Sequence, residues 1–368
     1  MLKRLFEQSL IYPLALTLLL LALPQVAPAA ESYVLGYYPA GRRDLLPAEK
    51  IDFDVLTHIC HAFIRPNKDA TLDYGKNFLY PEMIRAAHAK GRKVLVSLGG
   101  GGGGKAVEGF PVVAADPALR TKFIANLIDF CQKHGYDGID FDWEYPKNRT
   151  ERDNHALLVS ELREAVDKLD PPLLITMAIG ARLGSDDTFD HAILKEKLDW
   201  FNVMTYDFHG LWSNCAGHNS PIYDVSPRAN NETPQGCFSA VCYMKNDMGI
   251  AGEKLLLGLP FYGFVLYSSH IRGPNNGGHY IDYREVMLHW ASGGWFHHWD
   301  EVSMVPWLSA AEGDSLITYD DPRSIALKCD FARVNGLRGV MIWALSQDML
   351  EGSQWLLETV GRKKWDFK

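Results

Sequence analysis

The stretch Asp137-Gly138-Ile139-Asp140-Phe141-Asp142-Trp143-Glu144-Tyr145 holds four acids within eight positions, and it is the segment best able to do chemistry. In an extended strand successive side chains point to opposite faces, so Asp140, Asp142 and Glu144 share one side. Ile139, Phe141 and Trp143 share the other, where covering helices would lie. Carboxylates crowded on one face push their pKa values apart. Such a set can keep one carboxyl protonated near neutral pH, as general acid catalysis requires. Glu144, last on the strand, is the candidate donor.

A strand of this kind needs a frame. Eight short apolar runs recur, at Tyr33–Tyr38, Leu56–Phe63, Lys93–Leu98, Gly138–Glu144, Leu173–Ile179, Trp200–Tyr206, Lys254–Leu259 and Gly339–Leu345. Helical spacing fills the stretches between them. Leu119–His134 carries a stripe of Phe123, Ile124, Leu127, Ile128 and Cys131; Asn154–Leu169 carries Leu157, Leu158, Leu162 and Val166. Strand then helix, eight times over, predicts an α/β fold of the (β/α)8 TIM barrel type, with the three acids aimed into its interior. A doubly wound open sheet is the weaker reading, because no Gly-x-Gly-x-x-Gly opens a helix near the first strand. Residues 264–316 lose the rhythm and read as a small inserted α+β element between the seventh strand and its helix. The barrel would then comprise residues 30–263 and 317–368.

Of the 368 residues, 47% are hydrophobic and 22% charged, which places the chain among globular proteins. With 37 basic and 45 acidic residues the formal charge is −8, a poor match for nucleic acid or an anionic membrane. Lys3 and Arg4 precede a largely apolar run from Leu10 to Leu23 and then Ala27-Pro28-Ala29, the pattern of a signal peptide cut after Ala29. That run is shorter than the ~20 residues of a spanning helix. Secreted or periplasmic localisation is therefore expected. Export permits a disulfide between Cys215 and either Cys237 or Cys242, while Cys60, Cys131 and Cys329 read as buried thiols. Asn148-Arg149-Thr150 and Asn231-Glu232-Thr233 are glycosylation sequons in a eukaryotic host.

The acidic strand resembles the Asp-x-x-Asp-x-Asp-x-Glu signature of glycoside hydrolase family 18, the chitinase family. Ser97-Leu98-Gly99-Gly100 is similar to the family's third-strand motif, and Met204-Thr205-Tyr206-Asp207 to its sixth. Leu259-Pro260-Phe261-Tyr262-Gly263 resembles the end of its seventh strand. Trp343 falls where the family keeps a tryptophan beneath the distorted sugar. The insertion followed by Ile317-Thr318-Tyr319-Asp320-Asp321 is similar to the branch that carries a chitinase insertion domain.

The resemblance implies retaining hydrolysis of β-1,4-linked N-acetylglucosamine, assisted by the substrate's own acetamido group. Glu144 would protonate the glycosidic oxygen and later activate water. Asp142 would hold the acetamido N–H, Asp140 would share a proton with Asp142, and Asp137, grouped with the substrate-binding residues, would support the strand end. Tyr206 would donate to the acetamido oxygen, and Asp207 would bind sugar hydroxyls. Trp343 would be a platform, with Tyr37, Phe63, Met204, Tyr262 and Gly100 as further lining candidates. No metal and no cofactor are implied. Chitin or a chitooligosaccharide is the implied partner, with no nucleic acid, no membrane after signal cleavage, and a monomeric chain.

The sequence also departs from the family. Gly101 to Gly104 continue a run of glycines where the family often places a tryptophan-bearing loop, which removes stacking surface. With no Ser/Pro linker or binding module following the barrel, action on oligomers or loosened chitin is expected. His209 and His218 read as loop hydrogen-bonders. The competing functions are a chitin-oligosaccharide-binding lectin, an endo-β-N-acetylglucosaminidase of N-glycans or peptidoglycan, and a metalloenzyme.

Overall fold

The computed structural model describes residues 32–101, 107–181, 188–223 and 235–363. The expected leader and the sequon at Asn231 lie outside these described residues, as do Gly102 to Gly104 of the glycine run. Eight parallel strands form the frame: β1 (Tyr33–Pro39), β2 (His58–Pro66), β3 (Lys93–Gly99), β4 (Gly138–Asp142), β5 (Leu174–Gly180), β6 (Trp200–Met204), β7 (Leu255–Pro260) and β8 (Gly339–Trp343). Each pairs with the next. β1 closes the ring by pairing Leu35 with His58 of β2 and Tyr33 with Gly339 of β8. These are the eight runs that the sequence marks. Their hydrophobicity is nearly continuous because each strand is covered on both faces.

Helices cover the outer face, and local chemistry sets their ends. Asp116 Oδ1 accepts from the N–H groups of Ala118 and Leu119 and Pro117 opens the helix Pro117–His134; Gly135, at φ +79°, closes it. Asn148 caps Arg149–Val166 by accepting from the Glu151 N–H at 3.0 Å. That helix buries Leu158, Val159, Leu162 and Val166, each contributing roughly 1.5–3 kcal/mol of apolar burial. Leu157, expected on the same stripe, is 47% exposed: the buried face runs through His155 and Ala156 instead, one position away.

The insertion is a five-stranded antiparallel sheet with one helix, Tyr283–Ala291, and it lies between β7 and the helix Pro322–Val334. Its strands are Tyr262–Leu266, Gly278–Asp282, Trp295–Asp300, Val305–Ala310 and Leu316–Thr318. It therefore begins two residues before the expected boundary and ends two after it. Tyr262 pairs with Asp282 and Thr318 with Phe264, so the flanking residues of both boundaries belong to its ladders. The expected disulfide is absent among the described residues. Cys237 is buried, its sulfur 3.8 Å from the Thr205 carbonyl and from the Ser220 hydroxyl, while the Cys215 sulfur lies 3.8 Å from the Ala216 carbonyl.

Candidate active site

β4 sorts its side chains as strand alternation demands. Ile139, Phe141 and Trp143 are buried in the outer layer with Leu127 and Leu158, and the Trp143 ring stacks on Phe110 at 5.0 Å. Asp140 and Asp142 turn inward and are fully buried; Glu144, beyond the strand's last residue, is half-buried at the rim.

Asp140 sits in a ring of donors contributed by four other strands. Its Oδ2 accepts from Tyr37 (2.8 Å) and Ser97 (2.7 Å), and its Oδ1 from Thr176 (2.6 Å) and Asn202 (2.9 Å). Burial raises its pKa, and the bonds from Ser97, Thr176, Tyr37 and Asn202 draw it back. Four donors at the two carboxylate oxygens favour its charged form against that burial. Asp142 has the opposite surroundings. Its buried Oδ1 has no hydrogen-bond partner among the described residues. Burial first, then Glu144 and Asp140, push its pKa well above the usual carboxylate value. The surroundings therefore favour the charged form more at Asp140 than at Asp142.

Glu144 is raised too, by burial and by the Asp207 charge, while a hydrogen bond from Tyr145 works the other way. The environment thus favours a protonated Glu144 beyond the range of an exposed glutamate. It faces a cavity of about 310 Å³ lined by Tyr145, Ile179, Gly180, Ala181, Thr188, Phe189, Met204, Tyr206, Asp207 and Trp212. Gly101 lies against the acid: a Cβ there would stand 3.0 Å from Glu144 Oε1.

The residues after β6 form the opposite wall. Tyr206 is buried with its hydroxyl 3.9 Å from Met341 Sδ, and burial raises its pKa strongly, so it is neutral and able to donate. Asp207 adopts φ +60° and its Oδ1 accepts the Tyr262 hydroxyl at 2.5 Å. Tyr262 in turn stacks on Tyr280 with centroids 4.7 Å apart. Trp343, Phe63 and Tyr37 form a separate aromatic group. Trp343 stacks on Phe63 at 5.7 Å and meets Tyr37 at 5.5 Å. A Cβ on Gly100 would collide with the Phe63 ring at 2.7 Å, and the Gly100 N–H donates to the Asp142 carbonyl at 3.0 Å.

Glu144, Met204, Tyr206 and Asp207 therefore meet at one cavity, with Asp142 and Asp140 beneath Glu144 on the same strand. Trp343, Phe63, Tyr262 and Gly100 are not among the residues that line this cavity, and neither are Asp137 and Tyr37. Asp137 precedes β4 at its N-terminal end, where it bonds the Val94 N–H at 2.7 Å and the His88 Nε2 at 2.8 Å; it ties the bottom of the barrel and cannot touch a substrate at the top. Tyr37, 1% exposed, spends its hydroxyl on Asp140 and supports the carboxylate instead of lining the cavity. Tyr145, Ile179, Ala181, Thr188, Phe189 and Trp212 line it unanticipated. Tyr145 adjoins Glu144 and Trp212 follows the sixth-strand motif by five residues, so an aromatic beside each motif was the available signal. Phe189 had none, being delivered by a connection rather than a strand. His218 bonds Asp300 at 3.1 Å, as a loop histidine would. Among the described residues no three His, Cys, Asp or Glu side chains are grouped to hold a metal ion.

Known proteins are similar to this chain in sequence and in fold. The chain is 32% identical to Probable chitinase 2 of Drosophila melanogaster over 346 residues, covering 83% of this chain and 69% of that protein. It is 28% identical to Class V chitinase CHIT5 of Lotus japonicus, covering 93% and 88% of the two. The crystal structure of Ostrinia furnacalis Group IV chitinase in complex with allosamidin superposes with a TM-score of 0.83 at 26% identity, over 90% of this chain and 98% of that one. Residues 33–348 match the family described as Glycosyl hydrolases family 18, and the chain, a (β/α)8 barrel glycoside hydrolase, belongs to it.

Proposed function

We propose that the chain hydrolyses β-1,4 linkages between N-acetylglucosamine units of chitin or chitooligosaccharides, with retention and with the substrate's acetamido oxygen as nucleophile. The observation that carries this reading is Glu144: a half-buried acid at the cavity mouth whose pKa is raised by burial and by Asp207. It would protonate the leaving oxygen and then, as the anion, take a proton from the attacking water. Asp142 is buried one step below, and its surroundings disfavour the charged form that a nucleophilic carboxylate needs. In this reading it hydrogen-bonds the acetamido group and orients it for attack on the anomeric carbon. Tyr206 donates to the acetamido oxygen, Asp207 holds sugar hydroxyls, and Trp343 with Phe63 offers an apolar floor. That relatives bear the name chitinase, one of them with allosamidin bound, supports this substrate class. Action outside the cytoplasm rests on the leader of the sequence alone.

Replacing Glu144 by Gln keeps the shape and removes the acid. Hydrolysis of a chitin hexamer should stop while the oligosaccharide still binds, and the wild-type product should be released as the β-anomer. Inverted product, or equal cutting of oligosaccharides without the acetamido group, would overturn the reading.

A further inference from the structure

The Asp207 backbone lies in the left-handed region, at φ +60°. Held there, a residue with a Cβ is strained, so neighbouring contacts must over-determine it. They converge on one side chain. Asn219, 1% exposed, accepts the Asp207 N–H on its Oδ1 at 2.9 Å and donates its Nδ2 to the Tyr262 carbonyl at 3.3 Å. Its own carbonyl accepts from the Phe208 N–H at 3.1 Å, and its N–H donates to Thr318 Oγ1 at 2.8 Å. The Tyr262 hydroxyl then returns to Asp207 Oδ1. A ring is thereby closed: Asn219 grips Asp207 and Tyr262 by their backbones, and Tyr262 grips the carboxylate of Asp207. Both neighbours of Asn219 anchor the same loop, His218 to Asp300 of the insertion and Ser220 to the Thr205 carbonyl at 2.6 Å.

We propose that Asn219 is a positioning residue of the hydrolase, locking the Asp207 carboxylate beside Glu144 by closing the ring through Tyr262. Only a side-chain amide serves here, because it presents one acceptor and one donor in a single plane. Aspartate would keep the acceptor and turn a second oxygen against the Tyr262 carbonyl; leucine would leave both groups unsatisfied. The inference rests on the reading of Glu144 as the acid, and the other groups facing that acid are Asp142 below it, Tyr145 beside it and Tyr206 across the cavity.

The test compares wild type, N219D, N219L and Y262F on chitotetraose, reading kcat, KM and the pH at which kcat/KM falls on the alkaline side. A carboxylate released from the ring moves away from Glu144, so its pKa and the alkaline limb both drop. The expected result is a limb shifted to lower pH, with kcat/KM reduced about ten- to a hundredfold per folded molecule. Simple destabilisation would lower the amount of folded enzyme and leave the limb in place. Y262F opens the ring from the other side with little change in volume, and it decides the matter if the Asn219 variants fail to fold. An alkaline limb unmoved in the folded variants overturns the proposal. E144Q is measured alongside: hydrolysis surviving that change overturns the functional reading itself, whereas loss in E144Q with an unmoved limb in Y262F overturns only the role of Asn219.

Discussion

Asp140 and Asp142 are neighbours on one face of one strand, yet among the described residues the first accepts four hydrogen bonds and the buried Oδ1 of the second accepts none. The strand supplies the carboxylates; the surrounding strands decide which one is charged. Ser97, Thr176, Asn202 and Tyr37 each lie on a different strand of the barrel, so the anion at Asp140 is a property of ring closure and not of the acidic segment.

This asymmetry predicts opposite responses to the same substitution. D140N replaces one acceptor oxygen with a donor facing donors, and should cost about 1–3 kcal/mol. D142N mimics the protonated form that burial favours at Asp142, so stability should be unchanged or slightly higher while kcat falls. Thermal or urea unfolding of the two variants checks this, and equal losses would mean that the proton is not on Asp142.

Activity should respond to pH through Glu144 with two variants moving it in opposite directions. The Tyr145 hydrogen bond favours the anion of Glu144, so Y145F should raise the pH at which activity is lost. The Asp207 charge disfavours that anion, so D207N should lower it. Profiles of kcat/KM on a soluble chitooligosaccharide give both signs, and shifts in the same direction would contradict the electrostatic assignment.

The eight strands and the acidic segment were legible because each is written in contiguous residues. The runs are nearly all apolar since both faces are covered, and alternation along 139–144 sorts the two sides without any tertiary information. What could not be read is what other elements bring. The family resemblance makes Tyr37 a lining candidate, but its hydroxyl is used by an acid 103 positions away. Asp137 belongs to the signature spacing, yet a strand has two ends, and three residues of separation put it at the wrong one for substrate. Phe189 and Trp212 reach the cavity on connections whose path no periodicity encodes.

Buried histidines set the acid limit of the fold. His58, His61 and His155 are at least nine-tenths buried, and desolvation holds each down to about 3. A base whose pKa is lowered by folding is neutral in the native state. The unfolded chain takes up the proton first, near the usual value of about 6.5. Stability should therefore be constant above that pH and decline between about 6.5 and 3, by a few kcal/mol per histidine. His155 is enclosed by Phe141, Trp143 and Phe189, and neither of its nitrogens has a partner among the described residues. H155L should raise stability, more at pH 5 than at pH 8. Urea midpoints at the two pH values check this, and an equal gain at both would show that His155 titrates normally.

A buried ion pair braces the wall that carries Asp207. Lys328 Nζ lies 2.7 Å from Asp320 Oδ2 and 2.6 Å from the Ser220 hydroxyl, with both charged side chains essentially inaccessible. Ser220 passes the connection to the Thr205 carbonyl beside Tyr206. K328M strands a buried carboxylate and should cost about 3–5 kcal/mol. K328M/D320N removes the stranded charge and should regain most of that stability, because the net worth of a buried pair is small once both charges are gone. If the double variant were as unstable as K328M, the loss would belong to packing around the lysine stem and not to the unpaired acid.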